Sequence, residues 1–302
     1  MASRANLSAL QTATTLSATL SILGSGFVIV QTSRHGARSK RDWLLIILSA
    51  FDFVASFAMV FGQRFASDEP NTACVAQAAG IQFFGVASFV WTANLSLEVV
   101  TSLRHGRQPL SAAATRRGIL RPLVPALLVP AASCAVISAV GGWGDATLWC
   151  WVSSHHPEWQ LALYYLPLVI AWSVSVCSFV AVRSAISRRL RHAMQAGGLP
   201  TLGQSQLASD AVRQLSGYLL VFVIFYASGL LNRGYCAIAV VFAGGAEAYE
   251  EATGGICFRF PLIFAQALLL PLQGFGNALV YGKLVPRLYN VCGSRLRVRT
   301  SA

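Results

Sequence analysis

Charge is scarce in this 302-residue chain. Asp, Glu, Lys and Arg make up 11% of it, against 55% hydrophobic residues. A soluble surface of this size needs more charge than that, so much of the apolar surface must meet lipid. Lysine is almost missing: Lys40 and Lys283 are the full complement. Both fall at the ends of apolar runs, which leaves no amine inside them for a Schiff base with retinal. Histidine gives no catalytic pattern either, because His35, His105, His155, His156 and His192 all lie outside the apolar runs. There is no H-E-x-x-H sequence and no glycine-rich loop ending in Lys-Ser or Lys-Thr, so the expectation is a chain that is not an enzyme and carries no metal and no cofactor. No internal repeat is visible, which counts against a transporter built from duplicated halves.

What the chain has is seven long apolar runs. They extend from Leu7 to Gln31, Trp43 to Gly62, Cys74 to Leu103, Ile119 to Gly142, Leu161 to Val182, Leu215 to Ala243 and Phe260 to Tyr281. Each is long enough as a helix to cross a hydrocarbon core of about 30 Å at about 1.5 Å per residue. The fold class expected is therefore an all-α membrane protein, a seven-transmembrane helix bundle. The loops between the runs alternate in sign. Arg34, Arg38, Lys40 and Arg41 follow the first; Arg104, Arg107, Arg116, Arg117 and Arg121 the third; Arg183, Arg188, Arg189, Arg191 and Arg213 the fifth; Lys283, Arg287, Arg295, Arg297 and Arg299 the seventh. The other face holds Asp68, Glu69, Asp145, Glu158, Glu247, Glu250 and Glu251 against Arg4, Arg64, Arg233 and Arg259. Basic loops stay in the cytosol, so the N-terminus is expected outside and the C-terminus inside. The formal charge of +12 is mostly these inner loops seen together. It suits anionic lipid headgroups or an acidic cytosolic partner and requires no nucleic acid.

The first run is rich in Ser and Thr and carries Arg4 on its flank, which also fits a cleaved signal peptide. Cleavage would leave the Arg34 to Arg41 cluster on the translocated side, so the run is read as a helix. Asn6 and Ser8 form a glycosylation sequon close to the membrane. The chain reads as one unit over residues 1–302, with a short basic tail at 283–302. Its longest internal connection continues the fifth helix through Ser187 to Gln195 and breaks at Gly197, Gly198 and Pro200. Cys74 and Cys150 both belong to the oxidising face and can pair, pinning the loop around Trp149-Cys150-Trp151 over the mouth; the alternative is two thiols. Cys236 and Cys257 flank the last outer loop and form a second candidate pair. Cys134 and Cys177 read as packing residues, and Cys292, beside the basic tail, is a candidate for palmitoylation.

Three segments carry a family resemblance. They are Ile81-Gln82-Phe83-Phe84-Gly85-Val86-Ala87-Ser88-Phe89-Val90-Trp91-Thr92 in the third span, Tyr218-Leu219-Leu220-Val221-Phe222 with Leu231-Asn232-Arg233 in the sixth, and Pro271-Leu272-Gln273-Gly274-Phe275-Gly276-Asn277-Ala278-Leu279-Val280-Tyr281-Gly282 in the seventh. Together with the outer Cys-Trp pair, they resemble the cyclic-AMP-receptor-like G-protein-coupled receptors, relatives of the secretin-like class. The resemblance implies a plasma-membrane receptor that couples an extracellular small-molecule ligand to a cytoplasmic heterotrimeric G protein. The sixth span has Leu219 where the family commonly places proline, which removes the residue expected to kink it. An acidic-Arg-aromatic triplet at the end of the third span and an Asn-Pro-x-x-Tyr sequence are both missing, which excludes a rhodopsin-like receptor. So few residues precede the first span that no extracellular ligand-binding domain is expected.

The polar residues of the spans supply candidate sites. Asp52 lies about nine residues into the second run, roughly 14 Å along a helix, and must be neutralised, paired or hydrated. The reading is an interhelical switch network of Asp52, Asn94, Gln273 and Asn277, with Tyr281 one turn beyond Asn277; the alternative is static glue. Glu98, near the inner end of the third span, reads as a latch to Arg213 or a neighbouring arginine, or else as a water-exposed acid. Arg233 stands about 20 residues, roughly 30 Å, above Arg213. With Asn232 it is a candidate anchor for an anionic or strongly polar ligand in a mouth lined by Tyr164, Tyr165, Trp91 and Trp151. The alternatives are snorkelling or pairing with Glu247, Glu250 or Glu251 for the arginine, and an interfacial belt for the aromatics. A seven-helix transporter or channel, with Asp52 and Arg233 marking its path, is the other functional reading.

Overall fold

The computed structural model describes residues 4–34, 40–66, 71–104, 116–153, 156–195, 202–243 and 259–281. Seven helical stretches among them are long and apolar enough to cross a membrane. The first four spans are α1 (Arg4–Arg34), α2 (Lys40–Met59), α3 (Thr72–Arg104) and α4 (Arg116–Ala139). The strands β1 (Trp143–Asp145) and β2 (Cys150–Val152) then pair antiparallel, Gly144 opposite Trp151. This hairpin is the one departure from helix among the described elements. The fifth span combines α5 (Pro157–Gln160), a π turn over Leu161–Tyr165 and α6 (Leu166–Gln195). The sixth is α7 (Leu202–Phe242) and the seventh is α8 (Phe260–Leu269), a 3-10 turn at Leu270–Leu272 and α9 (Gln273–Tyr281).

The helix breaks follow local chemistry. Pro271 supplies no amide, and the seventh span tightens into its 3-10 turn there. The sixth span has no proline and is a single helix of 41 residues. It starts at Leu202 rather than at the expected Leu215, because residues 202–214 prolong the same helix beyond its apolar part. The π turn rotates the chain so that the consecutive Tyr164 and Tyr165 are both buried. A regular helix turns about 100° per residue and separates neighbouring side chains more.

The first span joins the core through its hydroxyl residues. Thr14, Ser17, Ser21 and Ser25 are buried on one face, and their small side chains let the seventh span approach closely. A Cβ at Gly24 would stand 2.9 Å from the Phe275 backbone, and one at Gly274 would meet the hydroxyls of Ser21 and Ser25. The opposite face presents Leu16, Leu20 and Leu23 outward, as Leu128, Ile170, Val180 and Leu220 do on other spans. These belong to the lipid-facing belt. Cys177 is also exposed, so it is not the packing residue expected, whereas Cys134 is partly buried.

Two apolar cores lie inside the bundle. One gathers Phe89, Trp149, Trp151, Tyr164, Tyr165 and Tyr226 at the end that carries the hairpin. The other gathers Leu44, Leu48, Phe51, Trp91, Leu95 and Val182 toward the end that carries Lys40, Arg121 and Arg183.

Candidate functional site

A chain of polar side chains lies between the two cores. Asp52, 3% exposed, accepts a hydrogen bond from Ser88 Oγ at 2.6 Å and another from Asn277 Nδ2 at 2.6 Å. Gln273 Nε2 donates to Ser88 Oγ at 2.9 Å, and the Tyr226 hydroxyl donates to Gln273 Oε1. Five side chains thus tie the second, third, sixth and seventh spans together. Four of them, Asp52, Ser88, Gln273 and Tyr226, border a small pocket that is also lined by Ser56 and Tyr164. Polar groups in a bundle interior must find partners there, and this set does.

Asp52, Gln273 and Asn277 meet as expected, but Asn94 does not join them. Its amide donates to the Pro122 carbonyl at 3.0 Å and fastens the third span to the fourth. The reason is register. Lys40 Nζ and Glu98 Oε2 pair at 2.6 Å, setting the level of the antiparallel second and third spans. From that level Asp52 is twelve residues up, Ser88 ten and Asn94 only four, so Asn94 falls about 12 Å short of the carboxylate. Glu98 is likewise outside the network. Among the described side chains its partner is Lys40, and that pair bridges the second and third spans. The side chains of Arg213 and Tyr281 lie outside the described residues. Ser88 and Tyr226 were missed because serine and tyrosine in an apolar run carry no distinct signal.

The hairpin closes the other end of the bundle. A disulfide joins Cys74 to Cys150, their Cα atoms 5.2 Å apart. Glutamines hold the rest: Trp151 Nε1 donates to Gln82 Oε1 at 2.8 Å, Gln160 Nε2 to the Val152 carbonyl at 2.8 Å, and Gln63 Nε2 to the Thr147 carbonyl. The Trp151 ring stands edge-on to Tyr164 at 5.0 Å and to Tyr165 at 6.2 Å. Sequence reasoning passed over Gln82, although an amide in an apolar span has to be bonded and is itself a signal; Gln63 and Gln160 fall just outside the apolar runs.

Beneath the hairpin turn, Arg233 donates from Nη2 to the Ala146 carbonyl at 2.9 Å. It is 7% exposed, so it does not snorkel. Asn232 donates from Nδ2 to Gln266 Oε1 at 2.7 Å. The structure therefore brings Arg233, Asn232, Tyr164, Tyr165 and Trp151 together beneath the hairpin, all of them buried. Trp91 is not among them. It lies 17 residues past Cys74, about 26 Å down the helix, where its Nε1 donates to the Leu44 carbonyl at 2.9 Å and its ring meets Phe51. Glu247, Glu250, Glu251, Cys257 and Cys292 lie outside the described residues.

The sequence profile described as slime mold cyclic AMP receptor matches residues 3–244. Cyclic AMP receptor-like protein A of Dictyostelium discoideum is 26% identical over 274 residues, covering 88% of this chain and 62% of that protein. Cyclic AMP receptor-like protein C of the same organism is 24% identical over 261 residues, covering 80% and 63%. The chain thus spans less than two thirds of the length of these relatives. Human G-protein coupled receptor 157 is 28% identical over 181 residues, covering 57% of this chain and 53% of that one. The crystal structure of squid rhodopsin shares the fold, with a TM-score of 0.69 at 13% identity, covering 96% of this chain and 80% of that chain. The profile match runs through six of the seven spans, and this integral, multi-pass membrane protein belongs to the slime mold cyclic AMP receptor family.

Proposed function

We propose that the protein is a plasma-membrane G-protein-coupled receptor, with the hairpin outside and the basic end in the cytosol. A small extracellular molecule binds at the mouth formed by Arg233, Asn232, Tyr164, Tyr165 and Trp151, and a heterotrimeric G protein engages the basic loops. The observation that carries this reading is the chain Asn277–Asp52–Ser88–Gln273–Tyr226, which crosses four spans directly below the mouth. Phe89 touches both Tyr164 and Tyr226 edge-on, at 5.4 and 6.1 Å between ring centres. A ligand that repacks Tyr164 therefore bears on Tyr226 and on the hydrogen bonds beneath it. Such a network has alternative partner arrangements, and the ligand acts by favouring one of them, a population shift rather than a reaction.

The test is nucleotide exchange on purified heterotrimeric G proteins in membranes containing this chain, screened over small metabolites. The relatives' names put cyclic AMP among the first to try. Ligand-dependent exchange is expected. Solute flux in reconstituted vesicles, with no exchange on any G protein, would favour the transporter or channel instead.

At the basic end, Lys40 and Glu98 hold the second and third spans together with side chains 16% and 21% exposed. If that pair belongs to the resting arrangement, Glu98→Gln favours the active one by about 1 kcal/mol, roughly fivefold in population. Basal exchange should rise by that factor. Lys40→Met should do the same, and the double variant no more than either. Unchanged basal exchange in all three would remove the latch.

A further inference from the structure

The geometry points to Arg233 as an oxyanion subsite in which the Ala146 carbonyl of the hairpin is an internal stand-in. The carboxylate or phosphate group of a small ligand binds there by displacing the turn between β1 and β2. This rests on the mouth being the ligand site and adds the chemistry that the site selects.

Arg233 is buried, yet Nη2 donates to a neutral backbone oxygen, and among the described residues its Nε has no hydrogen-bond partner. Nε–H and one Nη2–H point along the same edge of the guanidinium plane, the fork that a carboxylate or phosphate fills with two oxygens at once. A carbonyl brings a single oxygen and no net charge. Among the described residues no carboxylate forms an ion pair with Arg233, so the cation is half-satisfied on the edge best suited to an anion.

Two neighbours add to the site. Asn232 Oδ1 is buried without a hydrogen-bond partner, and the buried Tyr165 hydroxyl lies against the Arg233 and Gln266 side chains. Gly229 presents no side chain to that hydroxyl, since a Cβ there would stand 3.4 Å from it. The fifth and sixth spans thus offer a donor fork, a hydroxyl and an amide oxygen together. That set fits an oxyanion carrying a polar substituent.

The stand-in is poised to leave. Thr147, next to Ala146, has φ 79°, a left-handed conformation that a β-branched residue adopts only under strain. Cys150 stays tied to Cys74, so the turn can lift while the strand behind it remains anchored.

Backbone hydrogen exchange across residues 143–152, in protein held in lipid nanodiscs, reads the displacement directly. The probes are inorganic phosphate and acetate at millimolar concentration, against sodium chloride at equal ionic strength. Exchange at Ala146 to Trp149 should rise at least about threefold with one or both probes and stay unchanged with chloride. A response to phosphate alone assigns a phosphate ligand, and one to acetate alone a carboxylate ligand. Arg233→Gln should abolish the response. Thr147→Gly, which relieves the strained turn and keeps the arginine, should require about threefold more anion for the same response. No response in the wild type, an equal response to chloride, or an undiminished response in Arg233→Gln would overturn the subsite. This readout needs no G protein. A turn that answers to anions in a protein that drives no nucleotide exchange would sink the receptor reading alone, and the converse would sink only the subsite.

Discussion

Cys150→Ser is expected to lower the thermal midpoint by roughly 4–8 °C and to weaken ligand potency at least about tenfold. The bridge closes a loop with a sequence separation of 76 residues. In a freely unfolding chain, such a loop corresponds to about 4.5 kcal/mol of lost entropy. That figure is too high here. The third and fourth spans stay inserted as helices when the bundle comes apart, so much of the loop never gains the freedom that the bridge removes. About 2 kcal/mol is the better expectation, and at about 2–4 °C per kcal/mol it gives the stated shift. The effect on potency is larger because the bridge holds the strand carrying Trp151, which packs on Tyr164 and Tyr165. Hydrogen bonds donated by Gln63, Gln160 and Arg233, and one that Gln82 accepts from Trp151, still hold the hairpin, so it frays rather than departs. Cys74→Ser should match Cys150→Ser, and the double variant should be no worse than either. Thermal unfolding measures the first effect, ligand titration of nucleotide exchange the second, and hydrogen exchange at 143–152 the fraying. An unchanged midpoint with unchanged exchange would show that the glutamine contacts alone fix the hairpin.

Long-period information was legible in the sequence, and short-range geometry was not. Seven spans followed from apolar runs alone, because lipid requires that backbone polar groups be satisfied within a helix. Their ends were less legible, since a helix stops where its hydrogen bonds stop and not where its hydropathy does. Residues 202–214 are polar yet helical, so the sixth span extended further than its apolar part. The β1–β2 hairpin left no alternating pattern to read. Its strands are three residues each, too short for a period of two to register, and they are held mainly by contacts to helices rather than to each other.

The candidate site was legible to the extent that its members are expensive in lipid. Asp52, Gln273, Asn277 and Arg233 each announce a partner, because an isolated polar group in a span is costly. Which partner is a question of depth, and depth needs a register between helices that one sequence does not contain. The Lys40–Glu98 pair supplies it, bringing Ser88 rather than Asn94 to the carboxylate. The same missing register put Trp91 at the mouth. Tyr165 and Tyr164 face the mouth together only because of the π turn at Leu161–Tyr165, a local irregularity with no sequence mark.

Asp52→Leu is expected to abolish ligand-stimulated nucleotide exchange while leaving ligand affinity within about threefold of the original. The substitution removes both acceptor oxygens at once. Ser88 and Asn277 then lose their partner, and Gln273, bonded to Ser88, loses the member that ties it to the second span. In a soluble core each stranded donor would cost about 1–3 kcal/mol. Within a bilayer the unfolded reference also finds partners, and interhelical bonds of this kind contribute about 0.6–1.7 kcal/mol each. The lower figures govern here, so the bundle should lose about 1–3 kcal/mol in total and still fold. The consequence for signalling is larger because Asp52 is the point at which the chain from Tyr226 passes to the second span. Asp52→Asn separates the two roles. Its single oxygen can accept from Ser88 or from Asn277, and its amide can still bond if Asn277 turns its own amide over, so packing survives while the arrangement of donors changes. Static glue predicts that exchange per folded protein stays normal in Asp52→Asn and falls in Asp52→Leu only as folded protein is lost. A switch predicts that exchange per folded protein falls in both, by at least about tenfold, with ligand binding retained. Radioligand or anion binding to the folded fraction, measured beside nucleotide exchange, decides between them. Full exchange per folded Asp52→Asn molecule would mean that the network holds the bundle together without carrying the signal.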